Sequence, residues 1–289
     1  MKRISPRVAA VHDLSGFGRV SLSIVIPILT TMGVQVCPLP TAVLSTHTGG
    51  FENYKFIDLT EHLEEFIGHW AAVGVEFDCI YTGYLGSPLQ IDIISRFIKD
   101  FHLEGQLVVI DPVMGDNGRL YASFDRAMVR EMKNYIHLAD IITPNLTEAA
   151  FLLDEPWPTA IGDARLKEWL LALAAMGPRT VVITGVPSPS PDMTLVVAYN
   201  SEDKRFWKVN CSYIPAHFPG TGDGFTSVLV GSLLRGDSLP NALDRAAQFI
   251  LAAVRASYGY PYPQREGVLL ERVLSNLNLP VLVSASGTF

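Results

Sequence analysis

The chain has 289 residues, 48% of them hydrophobic, with 29 acidic against 22 basic side chains and a formal net charge of −7. This is enough apolar material for one large α/β core, and the acidic balance argues against a basic surface that grips nucleic-acid phosphates. Cys37, Cys79 and Cys211 have neither metal-ligand nor disulfide spacing, no apolar run approaches the roughly 18 residues of a membrane span, and the start "MKRISPRVAAVHDLSG" lacks a signal-type hydrophobic stretch, so a cytoplasmic protein with no membrane partner is expected.

Short β-rich runs alternate with longer helical patterns. "RVAAVH" (7–12) reads as a strand and "SLSIVIPILTTMG" (21–33) as a helix closed by Gly33. "VQVCPLPTAVL" (34–44) is extended, and Pro38 and Pro40 favour an edge or irregular path. "TEHLEEFIGHWAAVG" (60–74) carries an apolar stripe behind a Thr60 cap. "FDCIYTGYLG" (77–86) is a strand that runs into a glycine loop. "SPLQIDIISRFIKDF" (87–101) is a helix with Ser87 as cap and Pro88 in its first turn. "QLVVIDPVMG" (106–115) is a strand ending in an acid and a proline. "ADIITPNLTEAAFLL" (139–153) is a short strand, a turn and a helix, and "RTVVITG" (179–185) is another strand before a glycine. The Pro/Ser-rich "PSPSPD" (187–192) reads as a surface loop. "TLVVAYN" and "RFWKVNC" read as two more strands, and a helix is expected over about 223–235.

Near-continuous Val and Ile strands with intervening helices imply a mostly parallel sheet covered on both faces. The expectation is a three-layer αβα sandwich forming one domain over residues 1–289, since no composition break, repeat or low-complexity segment divides the chain. Asp111, Thr143, Asn145 and Thr184 all follow or end strand runs. In open α/β sheets, ligands bind outside the carboxyl ends of the strands, so these residues should share one edge.

"FPGTGDGFTS" carries the most chemistry. Gly220, Thr221 and Gly222 let successive amides point into one space, and the following helix adds its positive end, which makes an anion hole. No Walker G-x-x-x-x-G-K-[ST] occurs, and Asp223 stands at the mouth instead. A carboxylate there suits phosphoryl transfer to an alcohol. Asp223 would accept the hydroxyl proton while the amides hold the transferring group. Asp223 as a plain helix cap is the local alternative. "DPVMGD" adds Asp111 and Asp116 near the proposed phosphates, where acids repel unless Mg²⁺ intervenes. In "TPNLTEA", Asn145 and Glu148 either form a capping box or face metal-bound water, beside Thr143.

"DPVMGD", "ITPNLTEA", "VVITG" and "FPGTGDGFTS" together resemble the ribokinase-like superfamily of small-molecule kinases, in order and spacing, through most of the chain. Within it the sequence resembles the pyridoxal (vitamin B6) kinases. "LSTHTGGF" is similar to their histidine–threonine pair and "IYTGYLG" to their T-G-Y loop. The resemblance implies a B6 vitamer bound by Thr46, His47, Thr48 and Tyr84, with Asp13 and Ser15 of the first loop, against Asp223; read from the residues alone, His47 and Tyr84 also suit core and strand-end positions. It implies ATP near Asp111, Asn145, Glu148, Thr184 and Thr221, with Mg²⁺ near Asp111, Asp116, Thr143 and Glu148, a K⁺-type ion, and a homodimer. Two features depart from the pattern. Asp13 stands where pyridoxal kinases carry a serine, and D-L-S-G-F-G is similar to the first loop of hydroxymethylpyrimidine kinases of thiamine synthesis. No cysteine lies near the anion hole. The alternatives are therefore a hydroxymethylpyrimidine kinase or a catalytically silent relative that binds vitamer or nucleotide.

Overall fold

Alternation along the first strand sets the architecture. In β1 (Arg7–Ser15), Ala9 and Val11 join one apolar cluster and Val8 and Ala10 the other, and all four are fully buried. A strand with no solvated face needs a cover on each side. The computed structural model, which describes residues 4–281, provides both covers.

Along the chain follow α1 (Leu22–Thr31), β2 (Gln35–Leu44), β3 (Phe56–Asp58), α2 (Thr60–Ala72), β4 (Cys79–Thr82), α3 (Pro88–Asp100) and β5 (Leu107–Ile110). Then come β6 (Gly115–Asp116), β7 (Arg119–Leu120), α4 (Arg126–Tyr135), β8 (Ile141–Ile142), α5 (Leu146–Leu153) and α6 (Asp163–Ala174). The order closes with β9 (Thr180–Pro187), β10 (Met193–Asn200), β11 (Arg205–Ser212), α7 (Thr221–Leu234) and α8 (Leu239–Tyr258). Nine strands form one sheet in the order β11-β10-β9-β8-β5-β4-β1-β2-β3. From β9 to β2 every neighbouring pair is parallel, whereas β10 and β3 run against their neighbours.

Helices α1, α7 and α8 cover one face through Leu22, Ile28, Leu229 and Leu243. Helices α2 to α6 cover the other through Leu63, Phe97, Met132, Leu146 and Leu170. Burying each such side chain contributes about 1.5–3 kcal/mol. The result is the three-layer αβα sandwich expected from the strand composition.

Several local expectations meet their structures. Ser87 caps α3 by accepting the Gln90 N–H at 3.3 Å, with Pro88 in the first turn. Pro38 and Pro40 fall where β2 has a neighbour on one side only, because β3 pairs only with Ala42–Leu44. The Thr60 cap does not form. Thr60 is the first helical residue, and Asp58 accepts its N–H at 2.7 Å and its hydroxyl. Helix α7 begins at Thr221, two positions before the expected start. A small hairpin, β6–β7, was not anticipated. Its Asn117-Gly118 turn has φ values of 51° and 75°, the pair of left-handed residues that a tight hairpin turn needs. Among the described residues no helix is long and apolar enough to cross a membrane.

Candidate active site

Parallel pairing brings the carboxyl ends of the central strands to one edge. Ser15 on β1 lies opposite Leu44 on β2, and Val11 lies opposite Thr82 on β4. The segments carrying Asp13, Thr46 and Tyr84 are therefore neighbours. On the other side β5, β8 and β9 deliver Asp111, Thr143 and Thr184, and Asn145 pairs with Thr184 in an isolated parallel bridge.

The tip of α7 projects over this edge. Gly220 precedes the helix at φ 83°, and a Cβ there would lie 2.2 Å from the Arg19 carbonyl oxygen. No side chain fits, so the glycine turn rests directly on the first loop. The first donor within the helix is the Gly224 N–H, which bonds the Gly220 carbonyl at 2.9 Å. The amides of Thr221, Gly222 and Asp223 precede it and have no acceptor inside the helix. Gly222 is exposed, and the Thr221 hydroxyl donates to the Phe218 carbonyl at 3.1 Å. The turn thus has the amide arrangement of an anion hole.

The Asp223 side chain is 14% exposed. Its Oδ2 accepts the Ser21 N–H at 2.9 Å. Burial pushes its pKa up to about 7. The Ser21 hydrogen bond pulls against this, and the nearby Asp13 charge adds to it. Its Oδ1 faces His12 Nδ1 at 4.0 Å, beyond a hydrogen bond. His12 is fully buried, neither ring nitrogen has a hydrogen-bond partner, and burial pushes its pKa down to about 3, so the ring is neutral. The sequence reading missed His12 and Ser21. One sits inside an apolar strand run and the other in a loop, with no periodic signal to mark them.

On the other side of Asp13 lies the segment after β2. Asp13 is 6% exposed and accepts the Ser21 hydroxyl at 2.5 Å and the Ser15 hydroxyl at 3.4 Å. Burial raises its pKa, and these hydroxyls oppose the rise. The Thr46 hydroxyl is buried without a partner, while Thr48 lies exposed at the rim. His47 is buried but already engaged. Its Nδ1 accepts the Gly49 N–H at 3.1 Å, so its Nε2 carries the proton and donates to the Arg265 carbonyl at 2.6 Å. Arg265 in turn bonds the Gly50 carbonyl at 2.9 Å and lies 4.6 Å above the Phe51 ring. His47 therefore clasps its loop to the C-terminal segment. Tyr84 stacks on Phe124, with centroids 5.4 Å apart and planes 18° apart, and offers an aromatic wall.

Beyond Asp223 lies the second acidic group. Asp111 is buried, and its pKa is raised well above the usual range by burial first and then by Glu148 and Asp223. Beside it the Thr226 hydroxyl donates to Thr143 at 2.9 Å. Burial likewise pushes Glu148 up to about 8. Its Oε1 accepts the Met114 N–H at 3.0 Å and its Oε2 the Asn145 N–H at 2.8 Å. Asn145 Oδ1 takes the N–H groups of Thr147 and Glu148 at 2.8 and 3.0 Å, and its amide nitrogen donates to the Gly115 carbonyl at 2.9 Å. The capping box forms. Asp116 turns to the Asn117 N–H at 2.8 Å and sits 3.8 Å from His217. Thr184 is half-buried, and its N–H bonds the Pro144 carbonyl at 3.0 Å.

Asp111, Asp116, Thr143 and Glu148 were expected to hold a metal. Among the described residues, no three His, Cys, Asp or Glu side chains approach closely enough to do so directly. Both oxygens of Glu148 accept main-chain amides and Asp116 accepts the Asn117 N–H, which fits a cation met through bridging water rather than gripped directly. Two buried carboxylates with raised pKa values still form a hard-oxygen surface suited to a hydrated cation, since Mg²⁺ usually keeps several waters. A separate cavity of about 660 Å³ opens at the opposite ends of the strands, lined by Leu107, Ile141 and Thr180, and takes no part in this cluster.

The sequence pattern of the phosphomethylpyrimidine kinase family matches residues 26–265, which spans both the α7 tip and the α5 capping box. The chain belongs to the phosphomethylpyrimidine kinase family. It is therefore a phosphotransferase with a ribokinase-like fold. The chain is 30% identical over 245 residues to the pyridoxal kinase of Arabidopsis thaliana, covering 79% of this chain and 73% of that protein. A Bacteroides thetaiotaomicron protein, provisionally assigned as a phosphomethylpyrimidine kinase and solved with pyridoxal, is 57% identical. It superposes with a TM-score of 0.95 over 98% of this chain and 99% of that one. The pyridoxal kinase of Lactobacillus plantarum is 34% identical, with a TM-score of 0.87 over 95% and 97% of the two chains.

Proposed function

We propose that this family member is an ATP-dependent kinase of vitamin B6 salvage, acting on the 5′-hydroxymethyl group of pyridoxal, pyridoxamine or pyridoxine. The observation that carries the reading is the pairing of an open helix tip with one partly exposed carboxylate, Asp223, whose Oδ2 accepts the Ser21 N–H while its Oδ1 stands beyond hydrogen-bond range of His12. As the hydroxyl oxygen bonds to the γ-phosphorus of ATP, the bond from that phosphorus to the β–γ bridging oxygen breaks and ADP leaves. Asp223 accepts the hydroxyl proton, and the amides of Thr221, Gly222 and Asp223 hold the charge on the migrating group. Thr184 and Thr221 are assigned to the phosphate side, while Asn145 and Glu148 support it through backbone contacts. A bound Mg²⁺ would neutralise phosphate charge, with Asp111 and Glu148 holding it through water. A K⁺-type ion is assigned the same neutralising task, and comparing rates in K⁺ and Na⁺ tests it.

The vitamer is assigned to the edge bounded by Asp13, Ser15, Thr46, Thr48 and Tyr84, with His47 holding the loop that carries Thr46 and Thr48. The similarity to named pyridoxal kinases and to a structure solved with pyridoxal supports this choice of ring. One observation favours a second reading. Asp13 follows the first-loop pattern of hydroxymethylpyrimidine kinases, and the matched family carries the pyrimidine name. Steady-state kinetics with pyridoxal, pyridoxamine, pyridoxine and hydroxymethylpyrimidine separate the two. A higher kcat/KM for a B6 vitamer is expected, and a preference for the pyrimidine would overturn the assignment. Tight ligand binding with no transfer to any of these alcohols would identify a silent relative instead.

A cytoplasmic homodimer completes the proposal. Phe56 and Ile57 at the β3 edge, Phe66 on α2 and Val73 just past its end are between 43% and 60% exposed and supply an apolar strip for a second copy. Sedimentation of Ile57→Asp tests it: a dimer that persists unchanged would remove this strip from the interface.

A further inference from the structure

One residue holds both acids at the reacting edge, and the mechanism above does not use it. Ser21 immediately precedes α1 with φ 49° and ψ −134°, a conformation that glycine adopts freely and other residues rarely do. It is 7% exposed. Its N–H donates to Asp223 Oδ2 at 2.9 Å, and its hydroxyl donates to Asp13 Oδ1 at 2.5 Å. Its carbonyl accepts the N–H groups of Ile24 and Val25 at 3.1 and 3.0 Å, which anchors it to α1.

The other groups around Asp223 do not orient its carboxylate. The hydroxyls of Tyr81 and Ser227 donate to its main-chain carbonyl, at 3.3 and 2.6 Å. His12 Nδ1 stands 4.0 Å from Oδ1. The direction of the carboxylate therefore follows the Ser21 N–H. That N–H points where it does only while φ stays positive. A serine persists in a glycine-type conformation when surrounding contacts over-determine it, and the charge-assisted bond to Asp13 is such a contact.

We propose that Ser21 is a positioning residue for phosphoryl transfer, a strained tie that fixes the Asp223 carboxylate relative to Asp13. The proposal rests on Asp223 being the acceptor of the hydroxyl proton. Ser21→Gly keeps the N–H and relieves the strain, but it removes the hydroxyl bond to Asp13 that pins that N–H toward Asp223. It should lower kcat roughly tenfold, through lost orientation, and leave the ATP KM within about twofold. Its Tm should stay equal or rise, because the strain is gone. Ser21→Ala should show the same kcat loss with a lower Tm, since strain remains without its compensating bond. A residue with a purely structural role would not lose turnover while holding or gaining stability. An unchanged kcat in Ser21→Gly, or a kcat loss in Ser21→Gly accompanied by a fall in the Tm of that variant, overturns the proposal. Asp223→Asn, assayed alongside with ATP, Mg²⁺ and pyridoxal, separates the two ideas. If it turns over normally, the reading of Asp223 fails and the tie with it. If it is silenced while Ser21→Gly is normal, only the tie fails.

Discussion

Helices α5 and α7 present their amino-terminal tips at the same edge of one sheet, yet one tip is closed and the other open. At α5, Asn145 supplies a side chain that takes two first-turn amides, and Glu148 reaches back to the Asn145 N–H. At α7 the capping position is Gly220, which has no side chain to offer, so the amides behind it face outward. Both tips carry an acid whose pKa is raised, to about 8 for the buried Glu148 and about 7 for the partly exposed Asp223. Perturbed acidity therefore does not separate the reactive carboxylate from the structural one. The free hydrogen-bonding capacity does. Both oxygens of Glu148 accept main-chain amides, whereas Oδ1 of Asp223 faces His12 Nδ1 at 4.0 Å, beyond hydrogen-bond range. A helix tip serves a ligand when its own sequence leaves the amides unsatisfied.

The contrast can be tested residue by residue. Asp223→Asn should cost the most, lowering kcat by about a hundredfold or more with little change in the ATP KM. Near-normal turnover would reduce the α7 tip to the structural role of α5. Gly220→Ala should come next. Its Cβ meets the Arg19 carbonyl at 2.2 Å and its φ is 83°, so the turn must shift and the open tip deform. Turnover should fall by about tenfold or more, and thermal unfolding should show a loss of about 1–3 kcal/mol.

The pH dependence sharpens the comparison further. Asp223 must be ionised to accept a proton, so the acid limb of kcat/KM should fall near pH 7, where burial places its pKa. Its effect on stability has the opposite sign. A carboxylate raised from 3.8 to about 7 on folding makes the native state bind more protons than the unfolded chain. That contribution is fully present below the lower value and is lost as pH rises through the higher one. Activity and this share of stability should diverge over that window in parallel kinetic and unfolding titrations. An acid limb near pH 4 would mean that Asp223 is not the titrating base. The smallest effect belongs to α5. Asn145→Ala should lower stability by about 1 kcal/mol, as lost caps do, with kcat changed by less than about threefold. A large kcat loss at unchanged stability would show that the α5 tip handles ligand after all.

Much of this edge was legible in the sequence. Ser87-Pro88 announced a cap and a first turn, Asn145 with Glu148 announced a capping box, and strand-end polar residues marked the face that binds ligand. Each is a local rule linking residues a few positions apart. Asn117-Gly118 carried a hairpin signal that the sequence reading passed over. His47 was assigned to the ring, but the fold brings the Arg265 carbonyl to its Nε2, and that partner lies 218 positions away. Among the described residues no three His, Cys, Asp or Glu side chains cluster closely enough to hold a metal directly, and main-chain amides reach both oxygens of Glu148.

The sequence by itself determined the layers, the approximate ends of five of the eight α-helices among the described residues and the glycine turn, since these depend on side-chain periodicity and short-range backbone geometry. Only the tertiary structure decided which carboxylate stays available for chemistry. Ser21 and Asp223 are separated by 202 positions, and their hydrogen bond exists because α1 and α7 pack side by side over the same sheet. No local preference makes a serine adopt a positive φ. Contacts from both sides of the site impose it, and those contacts arise only once the chain has folded.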